Sequence, residues 1–216
     1  MITLQESQQS FNDKVMNEYL RQLNNNIKKN ADKLLNAVVA ETEQIFTSSE
    51  IYRSLVTGEL AAHFGFYKNK EEARVRPILN RFLESFHYEF VPFKKRGGKF
   101  AIRGIRADFQ DVFGLPEALI NGKNRSKFST KYPLPWLEWL LKAGDSVLVD
   151  GYRIKLGSFN SRSGRAIMVE SGSYKVPASL KDGTAGTLSD NWVTKEVLST
   201  QYERMLNRLF KEFIHA

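Results

Sequence analysis

The first part of this chain is a long segment without glycine or proline, in which apolar residues recur every three or four positions. Over residues 12–46 this spacing predicts an amphipathic helix, because it collects the apolar side chains on one side. Asn24, Asn25 and Asn26 are poor helix formers, so one long helix and two shorter helices both fit the pattern. The apolar side needs a partner surface, either on the same chain or on a neighbouring subunit. The apolar positions are Val15, Tyr19, Leu23, Ile27, Ala31, Leu34, Val38 and Ile45.

The following segment predicts more helix and then a hairpin. Residues 47–50 have the pattern of a capping box, so a helix begins near them, is interrupted at residues 57–60 and ends at about Gly65. Another helical stretch covers residues 70–88, and Pro77 divides it because proline lacks a backbone N–H. Residues 88–91 and 99–103 alternate as strands do, and the segment between them gives this β-hairpin a basic tip.

The rest of the chain predicts shorter elements and a closing helix. They are a connector over residues 106–131, a helix over 136–142, a hairpin of 147–149 and 152–154 around Asp150-Gly151, a strand over 166–170, and a helix over 190–215 capped by Asp190. The fold class expected is α+β, with long N-terminal and C-terminal helices around an antiparallel β-sheet built from hairpins. Residues 1–46 are expected as an N-terminal helical segment and residues 47–216 as one α+β domain.

Charge and composition limit the partners. The formal net charge is +8, which fits an electrostatic partner such as nucleic acid or an acidic protein, and fits equally a basic protein whose lysines are merely scattered over its surface. Cysteine is absent, which excludes disulfides and thiolate metal sites. The sequence has no apolar run long enough for a transmembrane helix, and its polar start is unlike a secretory signal, so folding in a cytoplasm is expected.

Residue patterns for catalysis are weak. His63, His87 and His215 lack the spacing of metal ligands, so no metal and no cofactor is expected. Ser161 and Ser163 lack the surroundings of a hydrolase nucleophile. The acidic residues Glu138, Asp145 and Asp150, with Lys155, are too loosely spaced for a convincing nuclease site, and Asp150 is explained by its turn. The chain is therefore expected not to be an enzyme.

A DNA-binding alternative concerns residues 47–106, which can be interpreted as a winged helix. Residues 60–65 would supply the turn, residues 74–86 the recognition helix and the hairpin the wing. Pro77 and the acidic residues of the recognition helix count against this interpretation. The candidate contacts to DNA or to an acidic partner are the cations of the hairpin, Lys94, Lys95, Arg96 and Lys99.

Four segments resemble the neck and tail-completion proteins of tailed bacteriophages. They are residues 52–60, residues 134–141, residues 161–172 with their Val-Glu-x-Gly sequence, and residues 189–194. A Pro-Ala pair at Pro177 and Ala178 follows the third segment, as in those proteins. The chain has Val176–Leu180 where the tail-completion group has a Pro-Phe-x-x-Pro-Ala sequence, which leaves the subgroup open.

The resemblance implies a structural virion protein that joins the DNA-filled head to the tail through ring assembly in the host cytoplasm. It implies no cofactor, a homo-oligomeric ring, and contacts with a portal or adaptor on one side and a tail terminator or tube on the other. Non-specific contact with DNA is also compatible with it. Tryptophan is favoured at interface centres, although packing in the core is its commoner role. The candidate intersubunit residues are Trp136, Trp139, Arg162, Arg165 and Trp192.

Overall fold

The structure of the chain is a computed structural model that describes residues 7–105, 109, 113–115, 136–142, 152–157, 164–170, 187 and 190–215. The described part is a mixture of helix and strand with a long helix at each end, in agreement with the α+β class. Its helices are α1 (Gln8–Ser48), α2 (Glu50–Val56), α3 (Glu59–His63), α4 (Glu71–Glu84), α5 (Trp136–Leu141), α6 (Trp192–Val197) and α7 (Thr200–His215). Its strands are β1 (His87–Lys94), β2 (Gly97–Arg103), β3 (Tyr152–Leu156) and β4 (Ala166–Glu170).

The predicted N-terminal helix is confirmed, and it is one helix that the asparagines at 24–26 do not break. Ser7 caps its start, since the Ser7 hydroxyl accepts a hydrogen bond from the Ser10 N–H at 3.2 Å. The helix ends at Ser48, where Ser49 leaves the helical conformation. Ser49 is also the N-cap of α2, and its Oγ accepts from the Tyr52 N–H at 3.2 Å. The capping box predicted a helix start in the right place but named Thr47, which lies inside α1.

The end of α3 at Gly65 is confirmed. Gly65 has a φ of +67°, a left-handed conformation that glycine adopts without a steric penalty. The Phe66 N–H donates to the Ala61 carbonyl at 2.8 Å and the Gly65 N–H donates to the Ala62 carbonyl at 3.1 Å. These two hydrogen bonds form a Schellman motif, which satisfies carbonyls that the last turn of a helix leaves open.

The expected division at Pro77 is wrong, because α4 continues through this residue. Proline cannot donate to the carbonyl four residues earlier, at Ala73. Ala73 is exposed, so water can reach this side of the helix and replace the lost hydrogen bond. The opposite side of α4 is buried and holds the helix in place through Val75, Ile78, Leu79, Phe82 and Leu83.

The described strands form two separate antiparallel pairs, β1 with β2 and β3 with β4. The first pair confirms the predicted hairpin, with Phe90 opposite Phe100. Strand β3 confirms part of the second predicted hairpin, and its described partner is β4, with Ile154 opposite Met168. The predicted strand over 147–149, the turn at Asp150 and Gly151, and most of the connector over 106–131 lie outside the described residues.

The predicted closing helix is two helices, since Leu198 and Ser199 separate α6 from α7. Asn191, rather than Asp190, is the N-cap of α6: its side chain accepts from the Thr194 N–H at 2.9 Å. Asn191 is also fully buried and donates to the Thr187 carbonyl at 2.7 Å. An amide can make both hydrogen bonds, whereas an ionised aspartate could only accept.

Two groups of buried residues hold these elements together. The larger group joins the end of α1 to α2, α3, α4, α5 and α6. The smaller group joins the middle of α1 to α7, with the β1–β2 hairpin against it through Phe100, whose ring stacks on Phe213 at 5.2 Å. The N-terminal half of α1 contributes no residue to either group. Among the described helices, none is both long and apolar enough to cross a membrane.

Candidate functional site

The N-terminal half of α1 carries an apolar stripe that faces away from the rest of the chain. Phe11, Val15 and Tyr19 are 57%, 53% and 60% exposed, and we call these three residues the outer stripe. Further along the same helix, Ile27 and Ala31 are 5% and 0% exposed. The helix therefore has one apolar face inside the subunit and another in solvent.

The spacing of these residues explains the two faces. Val15, Tyr19, Leu23, Ile27 and Ala31 are each four residues apart. Because an α-helix has 3.6 residues per turn, each step of four advances the side chain by about 40° around the axis. Four such steps rotate the series by about 160°, from the outer side at Val15 to the inner side at Ala31. The series read from the sequence as one stripe is thus two surfaces.

The tip of the β1–β2 hairpin is fastened to the same half of α1. The Asn24 amide donates to the Phe93 carbonyl at 2.9 Å and accepts from the Phe93 N–H at 2.7 Å. This pair of hydrogen bonds satisfies the backbone of β1 at its outer edge, as a neighbouring strand would. Beyond it, Lys95 forms an ion pair with Asp13 at 2.7 Å. Asn24 was not predicted as a contact, because in the sequence it stands out only as a weak point of the helix.

Replacing Asn24 with alanine should release the hairpin tip from α1. The change leaves a partly buried N–H and carbonyl of Phe93 without their partner, so we expect a loss of about 1–2 kcal/mol in the free energy of unfolding. Urea unfolding measures this loss, and amide exchange at Phe93 should accelerate with it. Asn25→Ala is the matched control because Asn25 is exposed on the same helix. Equal effects of the two substitutions would contradict the role assigned to Asn24.

The positive charge of the tip is partly neutralised by acidic residues distant in sequence. Lys99 and Arg103 both contact Glu89 across the strand pair and hold the pKa of that carboxyl below its usual value. Lys95 is paired with Asp13. Lys94 and Arg96 are exposed and have no carboxylate partner within the described part of the chain. Of the four cations predicted to contact DNA or an acidic partner, these two are therefore the ones whose charge is not neutralised.

An open groove separates the tip from α1. Its volume is about 630 Å³, and it is lined by Asn17, Leu20, Arg21 and Asn24 on the helix and by Phe93, Lys94, Lys95 and Arg96 on the tip. Four of the eight lining residues are cations, and two, Leu20 and Phe93, are apolar. A groove of this kind fits an extended acidic chain or a phosphate backbone rather than a compact apolar ligand.

Two of the tryptophans considered for intersubunit contact lie in the core. Trp136 and Trp192 are both 0% exposed, so in this conformation their side chains offer no surface to another chain. Trp136 packs edge-on against Phe66, with 4.9 Å between ring centroids. Trp139 is half-buried beside the same core and remains a candidate.

Arg165 is bound inside the subunit. Its guanidinium forms an ion pair with Glu71, the first residue of α4, and donates to the Thr57 carbonyl at 3.1 Å. The Arg165 side chain is 21% exposed and that of Glu71 is 5% exposed. These contacts tie the start of β4 to the region between α2 and α4. Arg162, the other arginine of the predicted contact, lies outside the described residues.

The region considered as a winged helix has the expected order of elements, with α2, α3 and α4 followed by the β1–β2 hairpin. The arginines of α4, however, are engaged within the chain. Arg74 lies over the Phe66 ring at 5.1 Å, Arg76 is paired with Glu43, and Arg81 is paired with Glu84 at 3.3 Å. Phosphate binding by α4 would have to compete with these contacts.

His63 is a buried histidine at the end of α3, with 9% exposure. Burial lowers its pKa to about 4 because the charged form is poorly solvated there. At neutral pH the ring is uncharged. Between pH 6.5 and 4 the unfolded chain takes up a proton that the folded chain does not, so stability falls as the pH decreases through this window.

Lowering the pH from 7 to 5 should reduce the free energy of unfolding by about 2 kcal/mol through His63 alone. A His63→Gln variant lacks this contribution, whereas both proteins share the titration of the carboxylates. Urea unfolding of both proteins at the two pH values isolates the difference. If both lose the same stability between these values, His63 is solvated in the folded protein.

Of the other residues considered for catalysis, the structure describes Glu138 and Lys155. The Glu138 side chain is exposed on α5, Lys155 is exposed on β3, and Asp145, Asp150, Ser161 and Ser163 lie outside the described residues. The described His, Asp and Glu side chains include no group of three or more that could hold a metal ion.

The chain matches no protein-family model, no curated protein and no solved structure, so its function is inferred from its own residues.

Proposed function

We propose that this chain is a structural protein of a tailed-phage virion, a neck or tail-completion subunit that joins the DNA-filled head to the tail through ring assembly. The observation that carries the proposal is the outer stripe on the projecting half of α1. Large apolar side chains held in water cost free energy unless another surface covers them, so they are typical of a subunit that completes its packing on assembly. The four segments that resemble neck proteins point to the same role.

Under this proposal the parts of the chain have different tasks. Residues 47–216 would act as one α+β domain, and the aromatic core of its described part holds the subunit together. The half-buried Trp139 and the outer stripe are available to neighbouring subunits or to a portal, adaptor, tail terminator or tube protein. Lys94 and Arg96 are available to DNA in the channel or to an acidic neighbour.

Light scattering of the purified protein at physiological salt tests the proposal, with and without a short duplex DNA. We expect either the mass of a discrete ring or that of a monomer that assembles only on its partner. Duplex DNA should leave this mass unchanged, because two cations at one tip give only weak and salt-sensitive binding. A stoichiometric complex with a defined duplex would contradict a structural role.

The second candidate function is winged-helix DNA binding by residues 47–106. The order of α2, α3, α4 and the hairpin supports it, together with the exposed Lys94 and Arg96 at the tip. The internal pairing of the α4 arginines weighs against it. Under this alternative, reversing the charges of Lys94 and Arg96 abolishes binding to a defined duplex, and affinity falls steeply with salt.

A further inference from the structure

The outer stripe has a sequence that is symmetric about its centre. An aromatic residue stands four positions before Val15 and another four positions after it, at Phe11 and Tyr19. If two such helices cross in opposite directions at Val15, each Phe11 meets a Tyr19 of the other helix. Aromatic pairs of this kind pack favourably beyond the apolar area that they bury.

The charges beside the stripe have the same symmetry. Lys14 and Glu18 lie along one flank of it, four residues apart, and the Glu18 carboxylate also pairs with Arg21 of its own helix. In an antiparallel crossing, flanks of the same kind face each other, so Lys14 of one helix lies near Glu18 of the other, and the reverse pair forms as well. The offset is about two residues, or about 3 Å, which long side chains span easily. The remaining exposed neighbours include the uncharged Gln8, Asn12 and Gln22, which add no like-charge repulsion.

The rest of the subunit leaves this face accessible. The hairpin tip contacts α1 through Asp13 and Asn24, which lie on the side of the helix roughly opposite to Val15. The residues packed into the core begin at Ile27, so the bodies of two crossed subunits lie at opposite ends of the contact. Neither the tip nor the body obstructs a second helix.

From these observations we propose that the outer stripe binds the outer stripe of a second copy of this chain in an antiparallel, two-fold crossing centred on Val15. The contact goes beyond the proposed ring, because a two-fold contact pairs subunits and does not close a ring. Because the contact between the two helices is short, we expect a dissociation constant in the micromolar range. The dimer is then a form that the free subunit adopts. The inference does not depend on the virion role.

Cysteine cross-linking tests the geometry, and the absence of native cysteine makes it unambiguous. Under mild oxidation, Val15→Cys should form a disulfide-linked dimer, because Val15 meets itself on the two-fold axis. A mixture of Phe11→Cys and Tyr19→Cys should cross-link, and neither variant should do so alone. Asn25→Cys is the control, since it is exposed on the same helix beyond the crossing. Cross-linking of Phe11→Cys alone would indicate a parallel contact and overturn the proposal.

Sedimentation across micromolar concentrations gives the strength of the contact with the full chain. Val15→Asp should weaken dimerisation at least tenfold, whereas Asn25→Asp leaves it unchanged, and circular dichroism should show equal helix content in both. Lys14→Glu and Glu18→Lys should each weaken it, and the double swap should restore it. A wild-type chain that stays monomeric at 100 µM overturns the proposal. Because the virion role allows a monomeric free subunit, that result would leave the proposed function standing.

Discussion

Replacing Trp192 with alanine should lower the free energy of unfolding by about 4 kcal/mol, which is the upper range for a buried aromatic residue. The indole ring contacts three helices at once. Its centroid lies 5.5 Å from that of Phe46 at the end of α1 and 6.4 Å from that of Phe82 in α4. Its Nε1–H donates to Ser49 Oγ at 3.3 Å, and Ser49 caps α2. Removing the ring therefore opens a cavity and deprives the cap of one partner.

Two variants separate these contributions, and chemical denaturation measures all three. Trp192→Phe keeps most of the packing but loses the hydrogen bond, so we expect a loss of about 1–2 kcal/mol. Trp139→Ala removes a half-buried tryptophan and should cost less than Trp192→Ala. If Trp192→Ala proved as mild as Trp139→Ala, the position of Trp192 at the centre of the core would be wrong.

Replacing Arg165 with alanine should cost about 3 kcal/mol in the free energy of unfolding. The partner of Arg165, Glu71, has a side chain that is only 5% exposed. Without the guanidinium, the negative charge of Glu71 would be buried and uncompensated. The Thr57 carbonyl would also lose a hydrogen bond. Breaking one side of a buried pair costs more than the pair itself contributes, because the desolvation penalty remains.

A surface pair provides the matched control. Arg208 pairs with Glu41 and Glu212, and its side chain is 51% exposed, so Arg208→Ala should cost no more than about 1 kcal/mol. The double variant Arg165→Leu with Glu71→Leu should recover much of the stability that Arg165→Ala loses, since no charge is left buried. Equal thermal unfolding of Arg165→Ala and Arg208→Ala would contradict the burial of Glu71.

The local signals of the sequence predicted the elements well. The spacing in α1, the glycine at 65, and the alternation in β1 and β2 each act over a few residues, so they can be read without the fold. Caps were predicted less accurately. Asn191 was chosen over Asp190 because the buried cap must also donate to Thr187, and the local pattern does not contain that contact.

Features that depend on distant residues were missed for a physical reason. The tip reads as an uninterrupted positive run, yet Asp13 approaches it only when the hairpin lies along α1, and Glu89 approaches Lys99 only when β1 pairs with β2. The sequence leaves both core and interface open for Trp136 and Trp192, and they are core residues because helices up to 146 positions away pack on them, as with Phe46 and Trp192. The outer stripe was hidden because spacing of four residues was read as one face, although it turns slowly around the helix.

The most direct test of the virion role is a head–tail joining assay. DNA-filled heads and complete tails are prepared from phage whose copy of this gene carries an early stop codon, and the purified chain is added back. We expect heads and tails to accumulate separately in its absence and to join into infectious particles when it is supplied, as electron microscopy and plaque counts would show. If joined, infectious particles form without the chain, it is not the protein that connects head and tail.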